Sequence, residues 1–170
     1  MTHLFRGSNQ GEAPSIAGKV LSRPGEGRLY DQHGSARLTI FADTEFVSVA
    51  VDALSEAFTN NGGHVAVIVF MPDHAHLILS GAHRDSDLLA MVKEFKQKTT
   101  FRARKTLPSF AWQKDFYDHI IRDETDYANQ VRYILRNPVR AGLCDRWQDW
   151  PHRFVLGQTW EDLALNIATH

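Results

Sequence analysis

The chain lacks most of the features that assign a protein quickly. It has one cysteine, Cys144, in 170 residues, so no disulfide can form within it, which fits a reducing compartment. It has almost no excess charge: the formal net charge of −1 argues against a wholesale polyanion binder but leaves room for a local basic surface. No apolar run approaches the length that spans a bilayer, and the N-terminus lacks the apolar core of a secretory signal. A cytoplasmic protein with no membrane attachment is therefore expected. No internal repeat is present. What remains is an ordinary globular composition, at a length that suits one domain with a tail and a real core.

The most informative stretch is Met71-Pro72-Asp73-His74-Ala75-His76-Leu77-Ile78-Leu79. Before it, the β-branched run from His64 to Phe70 reads as a central strand buried on both faces. Pro72-Asp73 forms a turn, and His74 to Ser80 returns as the hairpin partner. Strand side chains alternate, so His74 and His76 share one face while Ala75, Leu77 and Leu79 point to the other, into a core.

Around this hairpin the other elements can be placed in order. Residues 1–27 are rich in Gly, Ser, Pro and charge and read as a flexible N-terminal tail, with Lys19-Val20-Leu21 as one hint of strand and Arg28-Leu29-Tyr30 as another just beyond it. Arg37 to Phe41 is a better strand candidate. Asp43 or Thr44 caps a helix whose apolar residues run from Phe46 to Phe58, and Asn61-Gly62-Gly63 ends it. Asp85 or Ser86 caps a second helix, to about Arg104, with Leu88, Leu89, Val92, Phe95 and Thr99 on its core face. Trp112-Gln113 and Phe116 to Ile121 supply another strand. Thr125 or Asp126 opens a third helix, interrupted at Asn137-Pro138, with a short further turn stopping at Gly142. Thr159 and Asp162 form a capping box for a terminal helix. The order strand, helix, strand, strand, helix, strand implies an α+β, ferredoxin-like split βαβ domain. Its antiparallel sheet would carry helices on one face, with a C-terminal helix added. The expected divisions are 1–27 as tail, 28–151 as catalytic domain and 152–170 as C-terminal extension.

Four groups of residues could carry chemistry. His74 and His76, side by side on a rigid strand, suit a metal ion with open positions, or are simply histidines near a strand end. Tyr133 and Asn137 stand one helical turn apart, so Tyr133 is either a nucleophile beside an amide or a core tyrosine before a helix-ending Asn-Pro. The basic residues Lys93, Lys96, Lys98, Arg102, Arg104 and Lys105 face only Glu94 in the same stretch, and Arg122, Arg132, Arg136 and Arg140 follow. They form a solvated face or a phosphate-binding surface. Trp112, Phe116 and Tyr117 could stack unpaired bases or lie in the core.

Taken together, Met71-Pro72-Asp73-His74-Ala75-His76-Leu77, then Trp112-Gln113 with Tyr117-Asp118-His119-Ile120-Ile121-Arg122, then Tyr133-Ile134 with Asn137-Pro138-Val139-Arg140-Ala141-Gly142-Leu143, resemble the REP-associated tyrosine transposases. These are single-tyrosine HUH transposases of bacterial mobile elements. The resemblance spans about Phe41 to Pro151. It implies a ferredoxin-like enzyme that cuts and rejoins single-stranded or hairpin DNA through a 5′-phosphotyrosine link, as monomer or homodimer. It also implies His74, His76 and Asn137 as ligands of Mg²⁺ or Mn²⁺, and Tyr133 as nucleophile. The DNA contacts expected are Lys93, Lys96, Arg102, Arg104, Lys105, Trp112, Arg122, Arg136 and Arg140. The sequence departs from the family near Arg28 to Ala36, where a clear apolar strand is usual and a poor one stands. Two other classes compete. One is a domesticated DNA-binding protein of the same fold without turnover. The other is a small-molecule metal hydrolase that uses no tyrosine.

Overall fold

The computed structural model of the chain describes residues 18–21, 39–81, 86–112, 118–121 and 123–168. Helix α1, Thr44–Asn60, buries Phe46, Val47, Ala50, Ala53, Leu54 and Ala57 along one stripe. Of the two expected caps it is Asp43 that acts, its carboxylate accepting from the N–H groups of Glu45 at 2.8 Å and Phe46 at 3.3 Å. The helix stops at Asn61, and Gly62 follows with φ of 58°, the left-handed region where a side chain would be strained.

Strands β2, Gly63–Met71, and β3, His74–Gly81, form the expected hairpin, with Met71 opposite His74 and Val69 opposite His76. In β2 only His64 is exposed. A bulge between Val65 and Val67 breaks the alternation, so that Ala66 and Val67 both turn to the same face. Val65, Ile68 and Phe70 then face one core, and Val69 and Met71 the other.

Among the described residues the sheet has five strands in the order β4-β1-β3-β2-β5, all antiparallel, with β1 at Gly18–Leu21, β4 at Asp118–Ile120 and β5 at Arg153–Leu156. The run β4-β1-β3-β2 is the split βαβ arrangement expected, and β5 adds an edge beside β2. The first strand is the hint at Lys19-Val20-Leu21. The candidate at Arg37 to Phe41 does not hold where it is described: Ile40–Ala42 is a 3₁₀ turn whose Phe41 is buried, while Arg37 and Leu38 lie outside the described residues. A four-residue strand with no apolar pattern is specified by its partners, and β1 pairs on one side with β3 and on the other with β4. The divisions expected at 27/28 and 151/152 each leave one strand of this sheet outside the central unit. β5 is drawn onto β2 by the Phe70 backbone, whose N–H donates to the His152 carbonyl at 2.9 Å and whose carbonyl accepts from the Trp150 indole at 2.9 Å.

Helix α2, Leu88–Ala103, is capped by Asp87, which accepts from Ala90 N–H at 2.8 Å. The expected cap Ser86 instead donates to the Gly62 carbonyl. Its core face gains Met91 and Ala103, whereas Leu89 is only half-buried. Helix α3, Glu124–Arg140, is capped by Asp123 and continues through Pro138, correcting the expected interruption. Its end is a Schellman motif: Gly142, φ 69°, donates to Val139 and Leu143 donates to Pro138. Helix α4, Trp160–Ala168, begins with the predicted capping box, Thr159 and Asp162 exchanging hydrogen bonds of 3.0 and 3.1 Å.

Helices cover both faces of the sheet, where one face was expected. The two βαβ helices, α1 and α2, close one core with Val65, Ile68, Phe70, Leu77 and Leu79. Helices α3 and α4 close a second with Val67, Val69, Met71, Ile78 and Ile121, through Tyr127, Val131, Ile134, Leu135 and Leu163. The cause lies in β2 and β3, whose apolar side chains point both ways and would expose an oily surface if one side stayed bare. Leu79→Ala and Ile78→Ala, on adjacent positions facing opposite cores, should therefore each destabilise the fold by about 2–5 kcal/mol in urea unfolding. A near-neutral result for Ile78→Ala would mean that the second face is not closed.

Candidate active site

The site is built where the start of β3 meets α3. His74 and His76 lie two apart on β3 and point to the second core, on the α3 side, as the period of a strand requires. Both are buried, His76 almost completely at 1% exposure. A buried imidazole needs partners. The Nδ1 of His74 meets the Asp73 carboxylate Oδ1 at 2.6 Å, and that contact turns its Nε2 inward, 3.1 Å from the Nε2 of His76. The rings stand edge to face, 4.8 Å between centroids.

This arrangement fits a metal ion. Two ligands at right angles around an ion, with bonds of about 2.1–2.2 Å, place their donor atoms about 3.0 Å apart. The carboxylate on Nδ1 is the outer partner that metal-binding histidines commonly have, fixing the tautomer that leaves Nε2 with a lone pair. Asp73 reads in the sequence only as a turn residue. The signal available was an acid directly before a histidine. Among the described residues no cluster of three or more His, Cys, Asp and Glu is spaced to hold an ion, so a further ligand drawn from those residues would be of another type.

Helix α3 presents that type. The Tyr133 ring stands edge-on to His76 with 6.3 Å between centroids, and Asn137 is one turn further along. Asn137 is buried, and its Nδ2 donates to the Tyr133 carbonyl at 3.0 Å and reaches the Ile134 carbonyl at 3.5 Å. The Ile134 carbonyl is the one that Pro138, with no N–H, cannot serve in the helix ladder. The proline expected to break the helix thus leaves an acceptor for the neighbouring amide. With its nitrogen tied to backbone carbonyls, Asn137 has its Oδ1 to offer, a hard oxygen donor. Two imidazoles and an amide oxygen would make a donor set suited to a first-row or alkaline-earth divalent ion with open positions.

Of the four tyrosines, Tyr30 and Tyr117 lie outside the described residues. Tyr127 is a core residue at 3% exposure, and burial pushes its phenol above the ordinary range against a smaller opposing effect from its hydrogen bond with Gln158. Tyr133 is half-buried, and the Arg140 guanidinium lies over its ring, 4.9 Å from the centroid.

The expected DNA contacts separate into two layers. Arg136 and Arg140 are exposed on α3, the helix of the histidine face. Lys93, Lys96, Arg102, Arg104 and Lys105 belong to α2 and its end, whose core face packs on the opposite side of the sheet. Several cations of this stretch are engaged there. Arg102 and Lys98 both bind Glu56 of α1, and Lys98 first, then Arg102, hold that carboxyl below its usual range. Arg104 Nε donates to the Phe110 carbonyl at 3.0 Å. Trp112 belongs to the α1–α2 core, with ring centroids 5.4 Å from those of Phe41 and Phe95, so it is placed for packing and not for stacking at the histidine site. Arg122 lies outside the described residues.

Comparison with known proteins agrees with this fold. The chain is 34% identical over 84 residues to the REP-associated tyrosine transposase of Escherichia coli K12, covering 49% of this chain and 48% of that protein. It is 27% identical over 120 residues to a Haemophilus influenzae protein named as a candidate REP-associated tyrosine transposase, covering 64% of this chain and 68% of that one. A solved REP-associated tyrosine transposase bound to a REP hairpin shares the fold, with a TM-score of 0.65 at 21% identity over 88% of this chain and 82% of that chain. Residues 35–137 match the profile of the family described as IS200-like transposases, which takes in the histidine pair, Tyr133 and Asn137 alike, and the chain belongs to that family.

Proposed function

We propose that this transposase-family chain nicks and rejoins single-stranded or hairpin DNA, with Tyr133 as nucleophile. His74, His76 and Asn137 would hold a divalent ion, magnesium or manganese. The observation that carries the reading is the stand of Tyr133 against His76, with Asn137 one helical turn away. The ion, when bound, supplies Lewis-acid polarisation of the scissile phosphate. The remaining chemistry belongs to the chain. The Tyr133 oxygen bonds to phosphorus, the bond to the 3′ oxygen breaks, the phenolic proton passes to solvent and the departing oxygen takes one up. The products are a 5′-phosphotyrosine and a free 3′-hydroxyl. Because the phosphotyrosine keeps the phosphodiester's energy, another 3′-hydroxyl can reverse the step and join strands. Asp73 acts through His74, holding its ring.

A nucleophile fixed on a rigid helix needs a phosphate that can bend to meet it, which favours unpaired strands or hairpin ends over plain duplex. The hairpin held by the structural relative supports the same form of DNA here. Among the described residues no helix is long and apolar enough to cross a membrane, and the cytoplasm, where such DNA is found, is the proposed site of action.

Tyr133→Phe should fold and bind DNA while losing the covalent adduct formed with a hairpin-bearing single strand and Mn²⁺, whereas Tyr127→Phe should keep it. Peptide mapping of the trapped adduct by mass spectrometry decides the matter, and a nucleotide on any other tyrosine would refute the assignment. Wild-type protein that binds hairpin DNA without ever forming an adduct would instead indicate a domesticated binding protein. Asp73→Asn should weaken Mn²⁺ binding by about 10- to 100-fold in calorimetry, with unfolding still cooperative. Unchanged affinity would remove the carboxylate from the site.

A further inference from the structure

We propose that Arg140 is a phosphate-binding residue of this site, clamping a backbone phosphate of the DNA strand beside the ring of Tyr133; the proposal rests on the reading of Tyr133 as nucleophile. Arg140 follows Tyr133 by seven residues, two turns of one unbroken helix, so both lie on the same stripe of α3. The guanidinium lies over the phenol ring, 4.9 Å from its centroid, which holds the positive charge beside Tyr133. Among the described residues no carboxylate or carbonyl meets those N–H groups, and Tyr133 is the contact the side chain makes. Arg136, one turn earlier and exposed, likewise has no anionic partner among the described residues. Like charges at this spacing repel.

Both arginines line a groove of about 410 Å³ between the end of α3 and the 3₁₀ turn Trp147–Asp149, together with Val139, Arg146, Trp147 and Gln148. The carboxylate in its lining, Asp145, is one negative charge facing three arginines. Arg146 is already held by Asp149 through hydrogen bonds of 3.0 and 2.7 Å, which leaves Arg136 and Arg140 as the unmet cations of the groove. The contrast with α2 is direct, since Lys98 and Arg102 there are met by Glu56. Two open, planar guanidinium groups in a groove beside a candidate nucleophile match the bidentate chemistry of a phosphodiester.

The test uses the full chain, a fluorescein-labelled single-stranded oligonucleotide of mixed sequence, and anisotropy in EDTA over a range of salt. Arg140→Gln should weaken binding by about tenfold and flatten the log–log salt dependence by about 0.7, the loss of one phosphate contact to a single strand. Lys93→Gln, exposed on the far layer, should change the slope by less. Arg140→Lys should keep the slope yet lower the adduct yield with Mn²⁺ by about tenfold, because a lysine neither stacks nor forks. An unchanged slope in Arg140→Gln, an equal loss in Lys93→Gln, or full adduct yield in Arg140→Lys would each overturn the proposal. If wild-type protein forms no adduct while Arg140→Gln still loses the slope, the phosphate site stands and the nucleophile assignment falls. If the wild type forms adduct and Arg140→Gln behaves like it in both readouts, the reverse holds.

Discussion

The structure depends on one constraint: the β2–β3 hairpin is buried on both faces. Its apolar residues point both ways, so each side must be covered, and two helix layers result. That burial also governs the histidines. A polar ring under a helix is costly unless its nitrogens are satisfied. At His74 and His76 the solution is a carboxylate on one side and a facing imidazole on the other. The same requirement that stabilises the pair turns its nitrogens toward one point and locks them there, which is the preorganisation a metal site needs.

Helix α3 brings Tyr133 and Asn137 to the candidate site because it does not break. A proline inside a helix ordinarily costs a hydrogen bond and a clash. Here the freed Ile134 carbonyl lies within reach of the Asn137 amide, and a Schellman motif closes the helix two residues later. Continuity through Pro138 keeps Tyr133, Asn137 and Arg140 on one stripe, at the spacing of successive turns. A helix ending at Asn137 would leave Arg140 free to point elsewhere.

Charge divides along the same layers. The basic run on α2 looks in the sequence like the stronger candidate for phosphate, being longer and denser. Folding places Glu56 of α1 against it, and two of its cations are spent between helices. Arg136 and Arg140 of α3, sparser than that run, are exposed on the side of the histidines. Surface ion pairs of the α1–α2 kind add little to stability, about 0–1 kcal/mol. Their larger effect is on where the positive potential of the protein remains.

What the sequence determined by itself was everything set by short-range periodicity and chemistry. The alternation from His74 to Leu79 placed both imidazoles on one face, the 3.6-residue period drew α1 and α2, and Thr159 with Asp162 announced α4, because each depends on neighbours a few positions away. The three blocks around His74, Tyr117 and Tyr133 marked the family for the same reason, being local patterns. What only the tertiary structure decided were matters settled between distant segments. Gly18–Leu21 carries too little pattern to declare itself and becomes a strand because β3 and β4 provide its hydrogen bonds. Glu56 neutralises Arg102 from 46 residues away. Trp112 joins the core because Phe41, Phe95 and Phe110 come together from three separate stretches. Asp73 becomes the partner of His74 only once burial removes water as the alternative, since in an open turn the same carboxylate would be hydrated and free.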